Sequence, residues 1–403
     1  MAQTPKGVAA PADGELPDAA LATLAERPLG LYLHVPYCAS ICGYCDFNTY
    51  VATPADSGPR GHVDALLDEL RFARAVLGEA APPVSTVFVG GGTPTLLGGD
   101  GLTALLRGAA EIFPLADGVE VTTEANPETV DAPLLEALLD AGYTRISIGM
   151  QSAAPHVLAT LERQHTPGRA LEAAALARAA GFEHVSLDLI YGTPGESAAD
   201  WDATLDAVLS AAPDHISAYA LIVEPGTRLA AAVRRGTTPA PDDDQLADRY
   251  EQTDRRLAAA GFAWYEVSNW ARSPADRCRH NDGYWTAGNW WGAGPGAHSQ
   301  IGGLRWWNTL SPKAWAAALA AGRSPAGGRE PLTAEQQHLE LVMLGVRRGD
   351  GLALSALHAA GAAAAPALVD EGLLDPAALA SGIAHLTLRG RMLADHVTLA
   401  LAA

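Results

Sequence analysis

Cysteine is scarce in this chain, with four in 403 residues, and three of the four crowd into the stretch HVPYCASICGYCDFNTY at Cys38, Cys42 and Cys45. So few thiols, so clustered, exclude the distributed disulfide framework that staples small secreted domains, and they fit a reducing compartment. Basic residues are also short: 27 Lys and Arg stand against 46 Asp and Glu, a formal net charge of −19. That balance argues against a general affinity for nucleic acid or anionic lipid. Residues 1–29 lack a continuous apolar core flanked by basic residues, so no secretory leader is expected. Nowhere is there a run of about 18 apolar residues to span a membrane. These absences point to a cytoplasmic protein, with residues 1–29 as a flexible N-terminal tail.

From residue 30 onward short β-rich runs alternate with longer helical patterns, which is the pattern of βα units and a parallel sheet. The expected strands are 30–35, 86–90, 119–124, 145–150, 184–190 and 215–222. Between them lie stretches such as HVDALLDELRFARAVLG and DAPLLEALLDAG, with apolar residues recurring at i, i+3 and i+4 and several ending at Gly. The fold expected is α/β: a full or partial (β/α) barrel over residues 30–260, followed by an aromatic and Gly-rich extension over 261–320. A Gly- and Pro-rich linker (AGRSPAGGREP) then leads into a smaller C-terminal α+β module, 321–403, of winged-helix-like character. Its ending, LTLRGRMLADHVTLAL, reads as a strand, a turn at residues 389–391 and a second strand or helix. The Ala-rich run around 359–367 reads as exposed helix.

The unusual polar residues follow the expected strands: the cysteine loop, GGGTP (90–94), EANP (124–127), QS (151–152), DLIYGTPGE and YALIVEPGT. Loops at the C-terminal ends of parallel strands converge on one mouth, where sites are built. The spacing C-x-x-x-C-x-x-C brings three thiolates around one compact centre. A four-iron cluster held by three cysteines keeps one iron open for a chelating ligand. Zinc would need a fourth ligand, with only His34 or the distant Cys278 on offer. Three ordinary buried cysteines are the other alternative. The glycines of GGGTP would let backbone approach a ligand closely.

With Tyr44 beside the third thiol, the Cys38, Cys42, Cys45 loop resembles the radical S-adenosylmethionine (SAM) signature, and GGGTP resembles that superfamily's methionine-amine loop. Over most of residues 30–400 the chain is similar to the group holding HemW-type heme chaperones and oxygen-independent coproporphyrinogen III oxidases. YLHVPYC, GGGTPT, EANP, IGMQS, DLIYGTPGE and HISAYAL carry that likeness. The resemblance implies a 4Fe-4S cluster on Cys38, Cys42 and Cys45, and a SAM pocket at Tyr32, Tyr44, Gly91, Gly92, Thr93, Glu124, Gln151, Arg163 and Asp188. Taken singly, Glu124 and Asp188 could equally cap or brace loops, and Arg163 could form a surface ion pair.

The two members of the group do different work. By resemblance, the oxidase signature carries a further cysteine two positions after the third cluster ligand, and here that position is Phe47. CRHNDGYW (278–285) instead resembles the H-N-x-x-Y-W motif of the heme chaperones. A neutral imidazole at His280 can ligate heme iron, and Tyr284 and Trp285 offer flat faces to a macrocycle. The resemblance therefore implies a heme chaperone, with heme-accepting proteins, membrane-bound ones among them, as partners and a homodimer as its assembly. Oxidative decarboxylation of coproporphyrinogen is the alternative. No residue is assigned a catalytic role. His34 and His165 near the expected mouth, with His184 and His215, read as structural, and His298 as a secondary heme candidate.

Overall fold

The structure is a computed structural model of the 403-residue chain, and it describes residues 7–52 and 58–403. Six strands run parallel in chain order: β1 (Leu29–Val35), β2 (Val84–Gly91), β3 (Leu115–Ala125), β4 (Arg145–Gln151), β5 (His184–Tyr191) and β6 (His215–Ala220). Each expected strand is present, the sixth ending two residues earlier than its pattern suggests. Helices cross between them and bury one stripe each. In the helix Gly58–Leu77 the buried apolar positions are Val63, Leu66, Leu70, Ala73 and Leu77, a spacing of three and four that places them on one face.

The region expected as a separate extension completes this same sheet on both edges. Strands β7 (Ala263–Glu266) and β8 (Asn269–Ala271) add antiparallel beyond β6. Strand β9 (Asn289–Ala293) runs parallel beside β1, followed by antiparallel β10 (His298–Ile301), β11 (Leu304–Asn308) and β12 (Ala326–Pro331). The mixed sheet of twelve strands has the order β12-β11-β10-β9-β1-β2-β3-β4-β5-β6-β8-β7. The six central strands curve so that their inward side chains, from Tyr32 on β1 to Tyr219 on β6, line one cavity.

Three expectations are corrected. The tail is not loose over its described part: Leu16, Ala20 and Leu24, four residues apart, are buried against the outer strands. Val8 bridges Arg329, and the Leu24 carbonyl accepts from Asn289 Nδ2 at 3.1 Å. Residues 1–6 of that tail lie outside the described residues. The Gly- and Pro-rich linker holds strand β12, because its second half, Ala326–Pro331, pairs along β11. The C-terminal ending is helical, with helices Leu388–Met392 and Ala394–Leu401, and Leu386 makes only an isolated bridge to Leu374.

The C-terminal module has its own core, around Val342, Val346, Leu368, Leu374, Val397 and Leu401, with a two-stranded ribbon of Leu352–Ala353 and Ile383–Ala384. Its Ala-rich helix, Ala359–Asp370, is not simply exposed, since Gly361, Ala365 and Leu368 face that core. The module grips the barrel through Arg391, which pairs with Asp254 at 2.7 Å and lies 4.1 Å over the Trp264 ring. No helix among the described residues is long and apolar enough to cross a membrane.

Candidate cofactor cavity

One cavity of ≈ 580 Å³ gathers the residues that the sequence singled out for cluster and SAM, and His280 and Tyr284 of those singled out for heme, but not Trp285. Its volume is ordinary for a small-molecule site. Its rim is the cysteine loop and the C-terminal ends of the strands; its floor is the short helix Arg279–Trp285 that carries HNDGYW.

At the rim, Cys38, Cys42 and Cys45 are free and line the cavity. The loop is braced on several sides: Gly43 N–H donates to the Leu161 carbonyl at 2.9 Å, and Asn48 Nδ2 donates to the Pro295 and Leu310 carbonyls at 2.9 Å each. Thr93 Oγ1 lies 3.7 Å from Cys38 Sγ, and Arg163 Nη1 lies 3.7 Å from Cys42 Sγ. Burial pushes the Cys38 thiol up to about 11, against the pull of the Thr93 hydroxyl, and raises Cys45 too. Such thiols ionise when a metal centre supplies the positive charge the protein withholds. Among the described residues no three His, Cys, Asp or Glu side chains are arranged to hold a metal ion. In a cuboidal cluster each thiolate binds its own iron, so the three need not converge on a single ion. His34 is not available as a fourth zinc ligand: its ring nitrogens are bonded to the Tyr32 hydroxyl (2.9 Å) and the Asn48 carbonyl (3.0 Å).

The glycines of GGGTP are required first by the cysteine loop itself. A methyl on Gly92 would lie 2.6 Å from the Tyr37 carbonyl oxygen and 2.9 Å from Cys38 Sγ, and Gly91 has φ +116° beneath the His34 ring. Beyond them, Glu124 accepts from Gly91 N–H at 2.8 Å; burial lifts its carboxyl to about 7, with Asp188 nearby pushing the same way. Asp188 is itself raised by burial although Ser147 Oγ donates to both its oxygens, at 2.8 and 2.9 Å. Gln151 holds a left-handed φ of 61°, strain of the kind that clusters at ligand sites. Arg163 is no surface ion pair: Nη2 donates to the Gly149 carbonyl at 3.0 Å, inside the rim. Half-buried Tyr44 and Tyr32 complete this end.

Residues 32–208 match the model of the radical SAM superfamily. The chain is 55% identical to the heme chaperone HemW of Mycobacterium tuberculosis (strain H37Rv), over 95% of this chain and 96% of that one. It belongs to the HemW family. Escherichia coli HemW is 40% identical over 68% of this chain and 70% of its own. In three dimensions, coproporphyrinogen III oxidase (HemN) from Escherichia coli, a radical SAM enzyme, matches 95% of this chain and 92% of its own with a TM-score of 0.80 at 25% identity. Membership of the radical SAM superfamily implies a four-iron cluster and SAM. The rim fits both, with three free thiols facing a cavity whose walls carry the half-buried carboxyls of Glu124 and Asp188 and the guanidinium of Arg163.

At the floor the HemW-type motif takes an unexpected place. His280 is only 4% exposed. Its Nδ1 is bonded to Thr86 Oγ1 and its Nε2 to the Tyr284 hydroxyl, each at 2.8 Å, and burial lowers its pKa to about 3. The imidazole is thus neutral, the form that ligates iron, but neither nitrogen is free in this conformation. Cys278 is buried beside it, its thiol 3.7 Å from Glu120 Oε1, at the end of the cavity opposite the cluster loop. His298 does not line the cavity.

Two residues that hold the motif escaped the sequence. Glu120 accepts the backbone N–H groups of Arg279 (3.1 Å) and His280 (3.0 Å), capping the motif helix, and lies 3.4 Å from Arg145 Nε. Both are charged residues buried within strands of the central sheet. That was the available signal, since strands covered on both faces are normally continuous apolar runs.

Proposed function

We propose that this protein binds heme and delivers it to acceptor proteins, and that it carries a 4Fe-4S cluster and SAM at the rim of its cavity. The observation that carries the reading is the 55% identity, over 95% of the chain, to a protein named heme chaperone. Supporting it, the cysteine loop and the HNDGYW helix face one cavity from opposite ends. Cys38, Cys42 and Cys45 would hold the cluster. When bound, a cluster with an open iron chelates SAM and can pass it an electron. Glu124, Asp188, Gln151 and Arg163 would orient SAM by hydrogen bonds and opposite charge, while Tyr32, Tyr44, Gly91, Gly92 and Thr93 shape its pocket. His280 would serve as an iron ligand once Tyr284 or Thr86 releases a ring nitrogen. The acceptors, membrane-bound ones among them, the cytoplasmic location and a homodimer belong to the same proposal, and the free thiols favour a reducing compartment.

The test is an anaerobic heme titration of cluster-reconstituted protein, with His280→Ala beside it. Saturable binding near one heme per chain supports the reading, and a changed spectrum in the variant supports His280 as ligand. Absence of specific binding would sink it. Conversion of coproporphyrinogen in an anaerobic assay with SAM would favour the oxidase instead, against the substitution of Phe47, whose side chain stands 60% exposed at the rim.

A further inference from the structure

At the floor of the cavity three buried donor atoms make no hydrogen bond within the protein: Thr122 Oγ1, Arg145 Nη1, and Arg145 Nε, which has only an ion-pair contact with Glu120 at 3.4 Å. Arg145, 1% exposed, opens β4. Its Nη2 donates to the Asp276 and Arg277 carbonyls at 2.9 Å each, its Nε faces Glu120, and its Nη1 has no partner. Thr122, also 1% exposed, is its register partner on β3, so the two side chains share a face; the Thr122 hydroxyl is likewise without a partner. Both residues line the cavity. Buried donors are almost always satisfied, and an arginine carries its charge at every physiological pH, so this pair is costly unless something fills it.

Glu120 does not fill it. Its oxygens are already committed to Cys278, to Arg279 and His280 N–H, and to Arg145 Nε. What suits a guanidinium N–H and a hydroxyl side by side is an anionic oxygen pair. The methionine carboxylate of SAM is the wrong candidate. It would sit at the rim near Arg163 and Gln151, and Gln151 lies six residues along β4 from Arg145, about 20 Å of extended strand. Between rim and floor the wall is aromatic: Tyr32 stacks on Phe88 at 6.2 Å, and Phe88 on His280 at 5.1 Å. That surface suits a flat apolar ligand with a carboxylate at its leading edge.

We propose that the floor is a carboxylate subsite, in which Arg145 Nη1 and Thr122 Oγ1 receive one propionate of the porphyrin. The inference rests on the heme-binding reading and adds the orientation of the cargo, propionate inward. It also gives Arg145 two tasks, fixing the motif helix with one edge of its guanidinium and holding the ligand with the other.

The test uses the full chain with its cluster reconstituted, kept anaerobic, and titrates heme and heme dimethyl ester into wild type and Thr122→Val. Valine keeps the volume and removes only an unpartnered hydroxyl, so circular dichroism and iron content should match wild type. Wild type should bind heme at least about tenfold more tightly than the diester, the scale of a charge-assisted bond. Thr122→Val should shrink that preference several-fold while leaving diester affinity unchanged. Equal affinities for the two porphyrins in wild type, or a preference untouched by the substitution, overturn the subsite and leave the chaperone reading standing. Failure of wild type to bind either porphyrin overturns both.

Discussion

Replacing Glu120 by glutamine should loosen the helix that carries HNDGYW. Glu120 Oε1 accepts from His280 N–H at 3.0 Å, and Oε2 accepts from Arg279 N–H at 3.1 Å and lies 3.4 Å from Arg145 Nε. Glutamine keeps the shape, removes the charge, and turns one of these acceptors into a donor facing a donor. Arg145 is then a buried cation without a counter-charge. Breaking one partner of a buried pair costs roughly 3–5 kcal/mol, a figure that already includes much of the lost capping. Because Arg145 keeps its two carbonyl partners, the lower end applies: about 3 kcal/mol, on the order of a hundredfold in the equilibrium for opening residues 278–285. The assay is hydrogen exchange of the Arg279 and His280 amides together with denaturant unfolding, for Glu120→Gln, Arg145→Met and the double variant. The pair should be coupled by about 2 kcal/mol or more, since removing both charges is much milder than removing one. If the two single effects add to within about 0.5 kcal/mol, or if amide protection in Glu120→Gln equals wild type, the reasoning is refuted.

Three further outcomes are expected. Gly92→Ala would push a methyl against Cys38 Sγ and the Tyr37 carbonyl, so iron incorporation should fall several-fold while secondary structure persists; normal iron content would refute the steric account. Glu124, with its carboxyl held up near 7 by burial, is neutral below that pH and ionised above it; if it pairs with the SAM ammonium, SAM should bind more tightly as pH rises from 6 to 8, with proton release. The sign for folding is the opposite: the raised carboxyl contributes stability in full below about 4.5, and that contribution is lost as pH rises through about 7, so Glu124→Gln should flatten both profiles. Leu24→Ala, in the segment expected to be loose, removes a fully buried side chain and should cost about 3 kcal/mol by denaturant titration, whereas a loose segment would show no loss.

What the sequence carried was whatever depends on near neighbours along the chain. The three thiols of the cluster loop lie within one turn of sequence, and the six parallel strands and their helices announce themselves by apolar period and terminal glycines. Convergence of the rim residues follows from the general geometry of parallel strands, so Glu124, Gln151 and Asp188 could be grouped before any coordinates. Other features depend on contacts between distant segments. Residues 263–271 join one edge of the sheet and 289–331 the other, because strand partners are chosen by which edge is unpaired. The segment containing Leu16 and Leu24 is ordered because it covers the outer strands, and its own composition says nothing of that surface. Most consequential is HNDGYW: its chemistry is legible as letters, but only the fold lets Glu120, 160 residues earlier, cap its helix and turn His280 into the floor of the cavity. Burial, charge pairing and the unpartnered edge of Arg145 are properties of the packed interior, and no local spacing encodes them.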